Sequence, residues 1–206
     1  MPESYQRQGV LDHLHLDARI VDRPGDDPGD AGVVLCERRF RAKINLRGKP
    51  AKKFLEAAAA ALGLELPKTP NTTASGGALT ALWLGPDEWL VVGLPDREGD
   101  IAEGLRGALA GRHCAVTDVT EGRAVIGLAG GHARDVLMKG CPLDLHPREF
   151  KPGDCAQSTL AKATVILHQT SDAPAYDIYV ERSFADYLWS WLEDAALEYG
   201  LAVVKG

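Results

Sequence analysis

The apolar residues of this chain fall into two short periodic blocks that resemble one another. In residues 41–55, Ile44 and Leu46 alternate with polar neighbours as on a half-buried strand, and Ala51 and Leu55 follow at the four-residue spacing of a helix face. In residues 123–137, Ile126 and Leu128 alternate, and Ala133 and Leu137 repeat the helical spacing. The blocks align at a constant offset of 82 residues with seven of fifteen positions identical, so both predict a strand, a glycine turn and a helix. Gly48 and Gly130 end the strands and free the backbone to turn. Pro50 suits the first turn of a helix over 50–62, Gly63 suits its left-handed cap, and the copy runs over 132–139 and stops at Gly140.

What flanks the blocks is also parallel. Residues 78–84 and 89–94 predict a hairpin around Gly85-Pro86-Asp87, and 159–169 with 176–180 predict another around 171–175. A second helix follows each hairpin. The first, over 99–110, is striped by Ile101, Leu105, Ala108 and Leu109. The second, over 184–197, opens with Ser183 as N-cap and is striped by Phe184, Tyr187, Leu188, Trp191, Leu192 and Ala195, residues that read as core. Strands over 33–37 and 115–119 precede the blocks. The pattern predicts an α+β fold: one domain over 33–206 made by internal duplication, its halves (about 33–113 and 114–206) each β-β-α-β-β-β-α-like and related by a pseudo-twofold axis. Residues 1–32 form an N-terminal segment in which 22–32, all turn formers and acids, predict an exposed, mobile loop.

Composition narrows the function. The chain has 206 residues, 45% hydrophobic and 25% charged, which is ordinary for a globular protein. A net charge of −6 with scattered basic residues argues against nucleic acid as a partner. The one basic run, from Glu37 to Lys43, reads as a solvated strand face. The first twenty residues carry charges throughout and lack the apolar stretch of a secretory signal, and no 18-residue apolar run suits a membrane span. These points predict a cytoplasmic protein with no membrane partner. Cys36, Cys114, Cys141 and Cys155 are far apart without C-x-x-C pairing, so each reads as a small core residue.

Candidate chemistry is sparse. His13 and His15, with Asp12 beside them, share a face if the segment is a strand, but a metal site needs further ligands and none is near. Cys141 and His146 offer a thiol and a base without a group to orient them. The turn Leu128-Ala129-Gly130-Gly131-His132-Ala133 lacks the spacing of a nucleotide loop, so FAD, NAD and ATP are not predicted. Asp118-Val119-Thr120-Glu121-Gly122-Arg123 reads as a turn whose Asp and Thr bond local amides and whose Arg pairs an acid. No catalytic, cofactor-binding or metal residue is assigned.

The stretch 118–123, followed by Leu128-x-Gly130-x-x-Ala133-x-x-x-Leu137, resembles the Asp-Leu-Ser…Gly-x-x-Ala-x-x-x-Leu stretch of the folate-binding aminomethyltransferases typified by the glycine-cleavage T protein. Four further segments narrow the likeness: Leu84-Gly85-Pro86-Asp87-Glu88-Trp89-Leu90, Gly140-Cys141-Pro142-Leu143-Asp144-Leu145, Phe150-Lys151-Pro152-Gly153-Asp154-Cys155, and Arg182-Ser183-Phe184-Ala185-Asp186-Tyr187-Leu188-Trp189. In that order the chain, over about 33–200, is similar to gamma subunits of heterotetrameric sarcosine oxidase. The resemblance implies an oxidoreductase acting on the CH–NH group, built from alpha, beta, gamma and delta subunits. Such a complex demethylates sarcosine to glycine, releases hydrogen peroxide and forms 5,10-methylenetetrahydrofolate. It also implies that FAD, FMN and NAD lie in the alpha and beta chains, zinc in delta, and tetrahydrofolate in alpha, with none in gamma.

T proteins meet folate with a carboxylate on a hairpin strand, whereas the comparable stretch here, residues 159–167, has Lys162 and no acid. The chain is also about half a T protein's length, without the barrel that helps close the folate site. A frame without its pocket is expected to serve as a docking surface. Trp83, Trp89, Asp118, Arg123, Cys141, Pro142 and Asp144 are the candidate contacts to the alpha subunit. The rival reading is a stand-alone folate-dependent aminomethyl transferase. A chain separated from its partner is also expected to form a homodimer through exposed apolar surface.

Overall fold

The computed structural model describes residues 7–20 and 31–206. Its strands and helices are β1 (Val33–Glu37), β2 (Arg41–Gly48), α1 (Lys52–Leu62), β3 (Thr73–Gly76), β4 (Leu79–Gly85), β5 (Glu88–Pro95) and α2 (Glu98–Ala108). They continue as β6 (Cys114–Asp118), β7 (Arg123–Ala129), α3 (Ala133–Met138), β8 (Cys155–Leu160), β9 (Ala163–Ser171), β10 (Ala175–Glu181), α4 (Ala185–Ala196) and β11 (Leu201–Val203). The succession β-β-α-β-β-β-α therefore occurs twice, with β11 added. β3, β8 and β11 are short or polar and carry little periodic signal.

Two sheets of a mixed α+β protein result, ordered β3-β4-β5-β2-β6 and β11-β1-β7-β10-β9-β8. The first strand of each half sits in the sheet of the other: β6 pairs β2, and β1 pairs β7. The compact units accordingly do not follow the halves. One comprises Phe40–Arg123 with Gly153–Gln157, and the other the described residues up to Arg39, Ala124–Pro152 and Ser158–Gly206.

In the five-stranded unit, alternation decides which side chains meet the helices. Ala42, Ile44 and Leu46 of β2, Ala81 of β4, and Trp89 and Val91 of β5 gather with Phe54, Ala58 and Leu62 of α1 and Ile101, Ala102 and Leu105 of α2 into one buried apolar cluster. A run of five alanines favours the helical state of α1, and Gly63 caps it at φ 68, its N–H donating to the Ala59 carbonyl. Pro50 lies before the helix and not in its first turn. Ala51, the residue ahead of α1, is extended, and its N–H closes a tight turn onto Lys49 O at 2.7 Å.

In the six-stranded unit, Leu35 opposes Leu128 and Ile178 opposes Leu167. The buried stripe of α4 is Ala185, Leu188, Trp189, Leu192, Ala195 and Ala196. The expected stripe is thus displaced: Phe184 and Tyr187 are exposed and Trp191 is half-buried. Two overlapping apolar arcs share this helix, and periodicity alone does not choose between them. Ser183 makes no cap either, because it lies in a single 3-10 turn, Arg182–Phe184, that leads into the helix.

Of the N-terminal loop expected over 22–32, residues 22–30 lie outside those described. Gly32 is not free: it donates to Tyr199 O and accepts from His132 N, both at 3.0 Å. Residues 7–20 belong to the six-stranded unit, with Leu11 and Leu16 buried and Ile20 bridging Val203.

Candidate subunit interface

The turn from β6 to β7 is built as its composition demands. The Asp118 carboxylate accepts the Thr120 N–H at 2.8 Å, an Asx turn, and Gly122 N donates to Val119 O at 3.1 Å. Thr120 does more than bond locally: its hydroxyl accepts the Lys43 amide of β2 at 3.0 Å, and it is buried. The motif fastens the β6 exit to its neighbour strand. Asp118 is exposed and Arg123 half-buried.

Trp83 and Trp89 oppose each other across β4 and β5, with a register shift next to Trp83. Their exposures differ. Trp83 is half-buried, whereas Trp89 is 1% exposed, lies 6.0 Å from the Phe54 ring, and donates its indole N–H to Pro67 O at 2.8 Å. Trp89 is therefore core, and its place among the expected contacts is corrected: no surface remains for a partner. Trp83 and Asp118 sit on strands three steps apart in the sheet, a span of roughly 14 Å.

Cys141 is buried at the exit of α3, while Pro142 and Asp144 are exposed. The Asp144 carboxylate accepts the His146 N–H at 3.0 Å, and His146 Nδ1 accepts the Arg148 N–H at 3.2 Å, so this segment is a chain of local turns. The Cys141 thiol lies 3.9 Å from the Ser158 hydroxyl. Gly140, expected to cap the helix, is there for another reason: a Cβ would stand 2.7 Å from the Trp191 ring.

The segment 150–155 has a structural task. Residues 153–157 lace the edge of the five-stranded sheet. Thr73 N donates to Gly153 O, Cys155 N to Asn71 O, and Gln157 Nε2 to Leu84 O. The Cys155 thiol, wholly buried, points at the carbonyls of Thr72 and Trp83, and burial pushes its pKa up to about 12. It is a neutral donor and not a nucleophile.

Residues 159–167 are not one strand. Leu160 ends β8, Ala161 turns at φ 52, and Lys162 is exposed before β9 begins. The basic run is not a solvated face either. The Arg38 guanidinium pairs with Asp177 at 2.5 Å, Arg39 reaches Asp12, Asp17 and Glu37, and Lys43 is 2% exposed with its ammonium on Arg41 O at 2.7 Å. Burial works against the Arg39 charge, but Glu37, Asp12 and Asp17 outweigh it and its pKa is raised. Glu37 also accepts the Leu11 N–H, so this network ties the N-terminal segment to β1.

His13 and His15 lie in and between two 3-10 turns and do not share a strand face; His13 pairs with Asp186 at 3.2 Å. Among the described residues no three His, Cys, Asp or Glu side chains gather as a metal site. In the glycine turn before α3, the amides of Gly130, His132 and Ala133 donate to Pro174, Gly32 and Gly130 carbonyls. A groove of about 710 Å³ beside α1 is lined by Lys52, Glu56, Glu65 and Lys68 around Leu55 and Leu66, with charges of both signs that favour no one ligand class. Among the described residues no helix is long and apolar enough to cross a membrane. Phe184 and Tyr187 are exposed although their spacing matches a core stripe, and Met138, which belongs to no expected stripe, is exposed as well.

Comparison with known proteins adds a consistent relationship. The family described as "Sarcosine oxidase, gamma subunit family" matches residues 47–198. The chain is 36% identical over 177 residues to the sarcosine oxidase subunit gamma of Corynebacterium sp. (strain U-96), covering 85% of each. It is 38% identical over 173 residues to that of Arthrobacter sp, covering 84% of each. Among solved structures it is similar to a chain of the heterotetrameric sarcosine oxidase from Corynebacterium sp. U-96 in complex with pyrrole 2-carboxylate. That match has a TM-score of 0.83 and 33% identity, over 95% of this chain and 97% of that one. The glycine cleavage system aminomethyltransferase T from Bartonella henselae shares the fold, at TM-score 0.61 and 16% identity over 95% of this chain and 51% of that one.

Proposed function

The chain belongs to the sarcosine oxidase gamma subunit family, and from that membership we propose that it assembles with an alpha subunit, in a complex with beta and delta, without supplying a catalytic group. The whole complex, in the cytoplasm, would oxidatively demethylate sarcosine to glycine, with hydrogen peroxide and 5,10-methylenetetrahydrofolate as co-products. The carrying observation is identity of 36–38% spread over most of the chain, at a length matching the gamma subunits themselves. Cys155 supports it, held as a neutral thiol against the carbonyls of Thr72 and Trp83.

The contacts we assign to the alpha subunit are Trp83, Asp118, Arg123, Pro142 and Asp144, with Cys141 anchoring its segment from below. The frame itself we read as one internally duplicated domain over 33–206, whose two copies exchange their first strands. The support is the repeated element order and the crossed pairings of β1 and β6.

The test is size-exclusion chromatography of the purified chain mixed with alpha subunit at micromolar concentration. One joint peak, formed without added flavin, is expected, and two separate peaks overturn the reading. Titrating the chain with tetrahydrofolate while watching tryptophan fluorescence separates the rival, since saturable quenching would indicate a folate-dependent transferase. Without its partner the chain is expected to self-associate as a homodimer, which light scattering would show.

A further inference from the structure

The outer strands of the two sheets end differently. β11 is bridged by Ile20 at Val203, Thr73 N of β3 donates to Gly153 O, and Cys155 N of β8 donates to Asn71 O, so three outer edges meet backbone of this chain. β6 pairs with β2 on one side only. Val119 N donates to Lys43 O. In an antiparallel ladder such bonded residues alternate with residues whose amide and carbonyl point away. Thr117 and Ala115 therefore bond β2, opposite Asn45 and Arg47, and the backbone groups of Cys114, Val116 and Asp118 form an outer edge. Among the described residues one group meets that edge: the Arg106 guanidinium of α2 donates to Val116 O at 3.0 Å. A row of free backbone groups is a template for another strand, and an exposed cation is a means of guarding it.

The edge is complementary to itself. Antiparallel pairing about a twofold axis at Val116 sets Val116 opposite its own copy and Cys114 opposite Asp118 of the other chain. All three outward residues then find hydrogen-bonded partners, and no other centre matches all three. Charge agrees: Arg112 and His113 precede the strand and Asp118 ends it, so the basic end of one copy meets the acidic end of the other. A parallel copy would set like charge beside like.

The side chains agree as well. Cys114 and Val116 are half-buried against the cluster between α1 and α2, and a paired strand would extend that apolar layer. Gly107 of α2, next to Arg106, is exposed and weakens its helix, yet a Cβ there would meet nothing within 4 Å. Packing within the chain does not require this glycine. A helix of the second copy, brought alongside by the paired strands, would use the room it leaves.

We infer that the outer edge of β6 joins a second copy of this chain in antiparallel register about Val116, making one continuous sheet from two copies, with Arg106 released from Val116 O. The inference rests on the reading above that the chain self-associates without its partner, and it names the surface. Asp118 is shared with the contacts assigned to the alpha subunit, so the dimer belongs to the free chain.

The experiment follows the full chain, without alpha subunit, by sedimentation velocity and by residue-resolved amide exchange over a range of concentrations. Well above the Kd of the dimer, exchange at Cys114, Val116 and Asp118 should slow at least tenfold. Ala115 and Thr117, already bonded to β2, should not change. Val116→Pro removes only an outward N–H and should raise Kd at least tenfold with little change in Tm. Arg112→Glu should weaken the dimer several-fold at low salt and less at high salt. Arg106→Ala, which frees Val116 O, should tighten it several-fold. The two arginines are exposed, so their variants keep the test decisive if the proline lowers Tm. A dimer unchanged by Val116→Pro and Arg112→Glu, or one that slows none of the three edge amides, overturns this face and leaves self-association standing. A wild type that stays monomeric overturns both and leaves the subunit reading intact. Loss of alpha-subunit binding in Val116→Pro with the homodimer intact also overturns the inference, because the edge would then belong to that partner.

Discussion

Trp89 in β5 and Trp189 in α4 are equally withdrawn from solvent, 1% and 0% exposed, yet their indole N–H groups meet different surroundings. Trp89 donates to the carbonyl of Pro67 within an apolar cluster, so its only polar atom is satisfied. Among the described residues Trp189 Nε1 has no acceptor, and His168 Nδ1 and Gln169 Oε1, buried in the same unit, have no partner either. A buried polar group left unpaired costs on the order of 1–3 kcal/mol, so the Trp189 indole carries a polar cost that the Trp89 indole does not. Burial alone therefore does not measure how consistently a core is built. The same element order thus holds two equally buried indoles whose polar atoms are met differently.

The strongest way to break this comparison is to change both indoles. Trp89→Ala should destabilise by about 3–5 kcal/mol, and Trp89→Phe by about 1–3 because Pro67 O loses its donor. Trp189→Phe removes an unpaired donor and should stay within about 1 kcal/mol of wild type. Urea midpoints decide the matter, and equal losses for the two Phe variants would refute the distinction.

A second contrast concerns the matched glycines. Gly130 sits at φ 111, and an added Cβ would stand 2.5 Å from Gly32 O, a backbone atom. At Gly48 the obstacle is the Phe54 ring at 2.6 Å, and no positive φ is involved. Gly130→Ala should thus cost on the order of 3 kcal/mol, where backbone must move and φ is strained. Gly48→Ala should cost about 1–2 kcal/mol, because a ring edge can shift. Thermal unfolding of the pair gives the order.

The smallest expected effect is on pH. Burial lowers the His168 pKa below its ordinary 6.5, with Asp177, its partner across β9 and β10, opposing the shift. The unfolded chain then takes up a proton that the folded chain refuses. Stability is complete above pH 6.5 and falls as pH drops toward the lowered folded value. His168→Gln should flatten that slope in urea titrations between about pH 7 and 5.

Much of the architecture was legible because its signals are local. The offset between 41–55 and 123–137 marks two strand-turn-helix blocks, and alternation around Ile44 and Ile126 places their inner faces. β8 escaped notice because residues 155–160 mix polar and apolar positions, and the turn at Ala161 carries no Gly or Pro. At the candidate interface, the 118–123 turn was readable from Asp and Gly chemistry. Trp89 was not: a tryptophan near a turn looks the same in sequence whether its ring meets Phe54 or solvent.

The residues alone determined the repeated element order, the family likeness and the general net acidity, since each depends on spacing or composition within short stretches. Only the tertiary structure decided that β1 and β6 exchange sheets, that Arg38 and Arg39 meet acids from distant segments, and which arc of α4 is buried. Those outcomes depend on contacts between residues far apart in the chain. A side chain's partner across such a distance is set by packing the whole unit, and no local period encodes it.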